Sequence, residues 1–474
     1  MRKTVFKPYQ WLLCAVVLLI SFLLYAYFSD ETLKPEVQAV LNWQPPANYD
    51  VDNAYLTLLG IDAPANQDAN TVGKQQLNDD IARFKQMMRT HKEALSKDPT
   101  STVTSEKLNI SDWKDIRCEY HTAINCVDYY LKLDQNKLNE IKNDYLVPIN
   151  RYEVIKNSAR FVEVAIPMGS ATLPAYNLLA GASELKRIEA IVAITHHQAD
   201  EGVAILVENA QFSRRLLKST NSLIAHMVAL SLIQRDTQVL SELLVKYPKL
   251  AQSYQTQLEP ILATIEIPEY SIEKAFVNER NMMLPMIANL KYASAAEFFE
   301  NPNAEETKQS ASLKSQVLFK FYQGNATANL FYDLGTLRLR LAQAPATQFT
   351  SVKDEVAQKR EHYFSDCINK TTIPLCFKNN TGKILALIAE PDYSSYIERH
   401  HDAEGYLRLV YLQLKILAEA PDANNRDQLL AQYPNPYTLK PMVDDGKNAS
   451  LTFIGKFQKL NQTNSNVYQV SLKH

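Results

Sequence analysis

Gly202-Val-Ala-Ile-Leu-Val-Glu-Asn-Ala-Gln-Phe-Ser-Arg-Arg-Leu-Leu-Lys218 is followed at once by Asn221-Ser-Leu-Ile-Ala-His-Met-Val-Ala-Leu-Ser-Leu-Ile233 and Thr237-Gln-Val-Leu-Ser-Glu-Leu-Leu-Val-Lys-Tyr247. Apolar residues recur here at three- and four-residue steps, the spacing that lines one face of a helix. Between Thr172 and Thr264 proline stands only at 174, 248 and 260, so little interrupts such helices. Residues 183–218 read as two helices meeting near His196–Asp200. Residues 219–247 repeat the plan: Ser219-Thr-Asn-Ser222 caps a helix, the polar pair Arg235-Asp236 supplies a turn, and a second helix follows. Two helical hairpins at a period of roughly 35 residues predict tetratricopeptide-like stacking. The tryptophan, glycine and proline positions of that repeat are missing.

Composition points the same way. The chain has 474 residues, 46% hydrophobic and 22% charged, yet only 11 glycines. That is roughly 2% glycine against an average near 7%. Phosphate-cradling loops and tight hairpins need residues that take positive φ readily. A Rossmann or P-loop enzyme and a β-propeller are therefore disfavoured, and a mainly α fold is expected.

Toward the N-terminus, Trp11 to Phe28 reads WLLCAVVLLISFLLYAYF, eighteen positions without a charge. As a helix it would cover about 27 Å. Arg2, Lys3 and Lys7 precede it and Asp30 and Glu31 follow, the order that leaves the N-terminus in the cytoplasm. A cleaved signal peptide has the same charge order, but its apolar core is shorter and its cleavage site wants small residues, where Tyr25, Tyr27 and Phe28 stand. The expectation is an uncleaved single transmembrane anchor over residues 11–28, with everything after residue 30 across the membrane. Without Arg2, Lys3 and Lys7, 47 basic residues face 52 acidic ones, a formal charge of −5 for the body. With no basic run, nucleic acid is not an expected partner.

The remaining cysteines form two local pairs, Cys118 with Cys126 and Cys367 with Cys376. An exported body permits disulfides, and these pairings are the expected ones, though four cysteines allow three connectivities. Four divisions are expected: cytoplasmic tip and anchor at 1–28, linker and docking segment at 29–70, α-helical body at 71–432, and a small β segment at 433–474. In the second, Asn53 to Gly60 is a short apolar stretch predicted to lie against the body. Helices are expected over Thr71–Leu95, through residues 268–365 with breaks at Pro285, Pro302 and Pro345, and from after Pro391 to about Glu419. Tyr433-Pro-Asn-Pro436 ends helical patterning. Beyond it, Thr438–Val443, Leu451–Phe457 and Val467–Leu472 read as strands, with Asp445-Gly446 supplying the positive φ of a hairpin turn. This C-terminal antiparallel hairpin or sheet should pack on the helix over Tyr406–Glu419.

The segment Thr381 to Arg399, continuing through Asp402, Gly405 and Arg408-Leu-Val410, resembles a stretch in a group of uncharacterised proteobacterial proteins with an N-terminal inner-membrane anchor. Asn53-Ala-Tyr-Leu-Thr-Leu-Leu-Gly-Ile-Asp-Ala-Pro64, Phe212 to Ile233 and Tyr433 to Met442 are similar to pieces of the same group. The resemblance implies a bacterial envelope protein, anchored once in the inner membrane with its body in the periplasm, and brings no activity with it.

Chemistry-bearing motifs are sparse. His196, His197, Asp200 and Glu201 could hold a metal on a helix, but a solvated turn accounts for them equally and HExxH is absent. Glu398-Arg399-His400-His401-Asp402 reads as a charged helix face or an interruption. Asp392, Tyr393, Tyr396 and Arg399 could form a binding surface or simply pack around a helix N-terminus. GxSxG, GxxxxGK[ST] and GxGxxG are all missing, and no catalytic residue, cofactor or metal is assigned. The expected function is a protein-interaction or envelope-assembly scaffold working with other envelope proteins. The alternative is a periplasmic hydrolase whose scattered site the sequence does not reveal.

Overall fold

The computed structural model describes residues 8–90, 107, 108, 110, 112–120, 124–290, 322–368, 379–389, 392–458 and 466–473. Helices α1 (Pro8–Phe28), α2 (Pro35–Leu41), α3 (Ala54–Leu59) and α4 (Ala69–Thr90) come first. Helices α5 (Cys126–Leu131), α6 (Gln135–Asp144) and α7 (Leu146–Asn157) follow, then α8 (Tyr176–Thr195), α9 (Ala199–Ser219), α10 (Leu223–Lys246) and α11 (Lys249–Leu258). After them come α12 (Glu273–Asn289), α13 (Gly324–Gln343), α14 (Phe349–Ile368), α15 (Asn380–Ile388), α16 (Ser394–Glu419) and α17 (Ala423–Gln432). Strands β1 (Val443–Asp445), β2 (Ser450–Ile454) and β3 (Val467–Ser471) complete the described chain. The molecule is mainly helical with a small sheet, as its composition implies.

The central helices differ from the expected hairpin repeat in one decisive respect. Ser222 caps α10 as its sequence predicts, its hydroxyl accepting from Ala225 N at 3.2 Å. The helix then continues unbroken through Arg235 and Asp236 to Lys246. That polar pair is no turn. Asp236 is buried and ion-paired with Arg187 of α8, while Arg235 reaches Glu184 of the same helix. A 24-residue α10 replaces a hairpin, and α16, distant in sequence, packs along α10 and α11. The core is a bundle closed by long-range contacts, and the repeat stacking is not seen.

The segment after α1 docks immediately. Asp30 accepts from the backbone N–H groups of Asn325 and Ala326, both at 3.0 Å, and so caps α13 from outside. Asn329 donates to Thr32 O at 2.9 Å and Lys34 pairs with Asp333. Val37 of α2 is fully buried against Leu284 and Phe331. All six residues of α3 are buried, and Gly60 lies so close to α4 that a Cβ there would stand 2.1 Å from Ala69 O. Pro285 does not break its helix but lies buried inside α12, removing the hydrogen bond to the Asn281 carbonyl. Pro302 lies outside the described residues.

At the C-terminus β2 pairs antiparallel with both β1 and β3, in the order β1-β2-β3. The first strand is shorter and later than expected, because Leu439 takes φ 54° and turns the chain before Val443. The positive φ of the hairpin falls on Ala449 (46°) and not on Gly446. Leu451, Phe453 and Val470 face α16 as the alternation predicts. A Cβ on Gly405 would stand 2.2 Å from Phe453 Cζ, so the sheet rests on the helix backbone itself.

Among the described residues no helix is long and apolar enough to cross a membrane. For α1, side chains are described over residues 11–25, about 22 Å of helix against a hydrocarbon core near 30 Å. Those side chains are exposed throughout.

Candidate functional site at the junction of α10 and α16

Helix α10 carries two buried polar clusters. The first begins on α8, where Glu184 and Arg187 stand one turn apart on an otherwise apolar face. Both are fully buried and paired with each other. Arg187 also donates to Asp236, Nε to Oδ1 at 2.8 Å. Asp236 further accepts from Asn209 Nδ2 at 2.8 Å and Ser213 Oγ at 3.1 Å. Tyr120 (2.8 Å) and Tyr130 donate to Glu184. Burial drives the Glu184 carboxyl upward, but Arg187, Arg235 and the two tyrosine hydroxyls outweigh it and hold it below the ordinary glutamate value. Burial likewise opposes the charge on Arg187, and Asp236 and Glu184 prevail, keeping it protonated.

The second cluster joins α10 to α16. His226 Nε2 faces His400 Nδ1 at 3.2 Å, and the rings lie 5.4 Å apart between centroids. His401 Nδ1 meets Glu266 Oε1 at 3.0 Å, and Glu266 is shared with Arg408 at 3.3 Å. Desolvation pushes both His226 and His400 downward, seconded by the His400 imidazole at His226 and by the His401 imidazole at His400, which falls to about 4. Both are therefore neutral at pH 7. Glu266 responds oppositely: burial raises it, but the His401 hydrogen bond and the nearby Arg408 guanidinium bring it below its ordinary value.

Arg408 and Glu404 carry this cluster to the floor of an open cleft of about 600 Å³, with Tyr411 and Tyr433 on its wall. Glu404 is fully buried. Its Oε1 accepts from Thr264 Oγ1 (2.9 Å) and Arg408 Nε (2.6 Å), and its Oε2 from Ile265 N (2.7 Å). Arg408 also donates to Pro434 O at 3.1 Å. A general base needs a free lone pair and a reach to substrate. Three hydrogen bonds hold the Glu404 carboxylate in place at the helix junction beneath the cleft.

The residues singled out in the sequence fall elsewhere. His196 and His197 form the exposed α8–α9 turn, with His197 at φ 66°, and exposed Asp200 accepts from Tyr254 Oη at 2.6 Å. Among the described residues no group of three or more His, Cys, Asp or Glu side chains is placed to hold a metal. Asp392 caps α16 through Ser394 N at 2.9 Å. Tyr393 stacks on Phe276 at 4.9 Å, and the Arg399 guanidinium lies over Phe457 at 4.1 Å and Tyr396 at 5.5 Å. None of these four lines the cleft. The reading of residues 398–402 as a charged face is corrected: His400, His401 and Asp402 are buried. Asp402 accepts from Tyr437 Oη (2.5 Å), Lys456 N (2.9 Å) and Phe457 N (3.0 Å), tying the tail to α16. Cys118 and Cys126 form a disulfide with Cα atoms 5.6 Å apart, whereas the Cys367–Cys376 pairing lies outside the described residues.

The sequence reading missed Glu184, Arg187, His226, Glu266, Glu404 and Arg408. The available signal was polar residues at helical spacing within apolar stripes, such as Glu184 with Arg187. The chain matches no family model, no curated protein and no solved structure.

Proposed function

We propose that this chain is a membrane-tethered envelope protein whose helical body serves as a protein-interaction scaffold on the periplasmic side of a bacterial inner membrane. The observation that carries the reading is α1: its large apolar side chains between Trp11 and Tyr25 are 45–70% exposed. A contiguous apolar surface of that kind marks a membrane or partner contact. The flanking charges, basic before and acidic after, favour membrane insertion with the body exported. The resemblance to anchored proteobacterial proteins points the same way. For the body, support comes from carboxylates and guanidinium groups spent on one another at the helix junctions beneath an open cleft.

The test is a fusion of alkaline phosphatase after the C-terminus of the full chain, combined with cross-linking in intact cells. Phosphatase activity and discrete cross-links to other envelope proteins are expected. An inactive fusion, or a mature N-terminus beginning near Ser29, overturns the tether. An absence of cross-links overturns the scaffold.

A further inference from the structure

The chain has almost no slack between α1 and the body. Helical hydrogen bonding continues to Ser29, whose N–H donates to Tyr25 O at 2.9 Å. The next residue, Asp30, already holds the N–H groups of Asn325 and Ala326 at the start of α13. Residues 30–34 then run along α13 toward its C-terminus, Thr32 O accepting from Asn329 and Lys34 pairing with Asp333. Two residues span at most about 7 Å. The interfacial layer beside a hydrocarbon core is roughly 5–8 Å deep. An α1 inserted as far as Phe28 therefore brings the N-terminal end of α13 to the membrane surface. Asp30 arrives there with its carboxylate spent on backbone N–H groups.

Helix α15 starts at the same end of α13. Asn379 accepts from Gln323 N and Thr327 Oγ1, both at 3.1 Å. A Cβ on Gly382 would stand 1.9 Å from Thr327 Oγ1, so the first turn of α15 lies directly against the first turn of α13. On its inner side, Ala386 is fully buried in the apolar cluster that also receives Val37 of the docked segment. On its outer side, Ile384 and Ile388, one turn apart, are 53% and 73% exposed. The second value exceeds that of every large apolar side chain described in α1. Apolar residues one turn apart on the outer side of a helix are what a helix lying in a membrane interface presents to acyl chains. Ile384 is only two residues beyond Gly382, about 3 Å along the helix axis.

We propose that the end of the body formed by the first turns of α13 and α15 rests on the membrane surface, with Ile384 and Ile388 immersed in the lipid interface. The proposal rests on the tether reading of α1 and adds a second contact to it: the body is seated on the bilayer, not suspended from it. The partner is a lipid bilayer, engaged through its acyl chains and not through headgroup charge.

The native full-length chain is reconstituted in phosphatidylcholine vesicles carrying a photoactivatable diazirine high on one acyl chain, and lipid adducts are mapped by mass spectrometry after irradiation. Adducts are expected in α1 and on Ile384 and Ile388. Ile224 is the control: it is 47% exposed, and its neighbour Leu223 belongs to the apolar cluster of Leu341, about 24 Å along α13 from Asn325. It should carry about tenfold fewer adducts, the discrimination that burying one apolar side chain supplies. Ile384→Ser combined with Ile388→Ser should cut the adducts on α15 by a similar factor and leave those in α1 unchanged. Adducts in α1 alone, as many on Ile224 as on α15, or α15 adducts that persist in the double variant overturn the seat and leave the tether standing. An absence of adducts in α1 overturns the tether, and the seat with it.

Discussion

The two ends of α10 bury polarity in opposite ways. Near Asp236, the helix shares a charged network in which Glu184, Arg187 and Asp236 pair across two helices and four uncharged side chains complete their shells. Nearer Ser222, His226, ten residues before Asp236, faces His400 without a carboxylate between them, and burial keeps both neutral. The nearest anion, Glu266, is held by His401 and Arg408. Interior charge survives where each group has a partner of opposite sign. Where partners are lacking, the proton leaves instead. One helix thus has an end sensitive to removal of a partner and an end sensitive to acid.

The largest expected effect comes from breaking the charged end. Asp236→Ala leaves Glu184 as the one charged partner of Arg187 among the described residues and takes one acceptor each from Asn209 and Ser213. It should cost about 3–5 kcal/mol in urea unfolding. Replacing Glu184, Arg187 and Asp236 together by apolar residues of similar volume should cost far less. Equal losses in the single and triple variants would show that packing, not charge pairing, matters there.

Acid probes the other end. His400 titrates near 4 when folded against about 6.5 unfolded, so from pH 6.5 downward the unfolded chain binds a proton that the folded chain refuses. Its contribution is full above pH 6.5 and declines toward pH 4, by about 3 kcal/mol. His226, depressed by the same causes, steepens the loss. His401 and Glu266 face this pair, and Glu266 resists protonation across most of that window. His226→Leu should flatten the decline between pH 6.5 and 4.5 in thermal scans, and an unchanged slope would place the acid sensitivity elsewhere.

Reduction of Cys118–Cys126 separates the ends further. The bridge braces Tyr120 and Tyr130, the donors to Glu184, and Cys126 lies beside Gln238. Closing so short a loop is worth about 2–3 kcal/mol in the chain-entropy model. Reducing agent should lower the urea midpoint without changing the pH dependence assigned to the histidines. The smallest effect serves as a control remote from both ends. Ala420 closes α16 at φ 44°, and Ala420→Gly should stabilise by about 1 kcal/mol with neither sensitivity altered.

Much of the fold was legible from short-range patterns. The helix from Ser222, the α8–α9 turn at His196–Asp200, the burial of Leu77, Ile81 and Phe84 along α4, and the strands after Pro436 follow from spacing, caps and proline. The candidate site was largely hidden. In the sequence, Arg235-Asp236 looks like any polar turn, and Glu398 to Asp402 like any solvated face. Their roles depend on Arg187, 49 residues before Asp236, and on Tyr437, Lys456 and Phe457.

The sequence by itself determined the helical periodicity, the start of α10 at Ser222 and the β character of the tail, because each depends on residues within a turn or two of one another. Tertiary structure alone decided which polar residues are interior. It runs α10 straight through Arg235 and Asp236, since burial beside Glu184 and Arg187 gives both charges partners that a solvated turn would not. It also places Pro285 inside α12 and the hairpin's left-handed residue at Ala449, because packing over many residues outweighs a local preference worth about 1–3 kcal/mol.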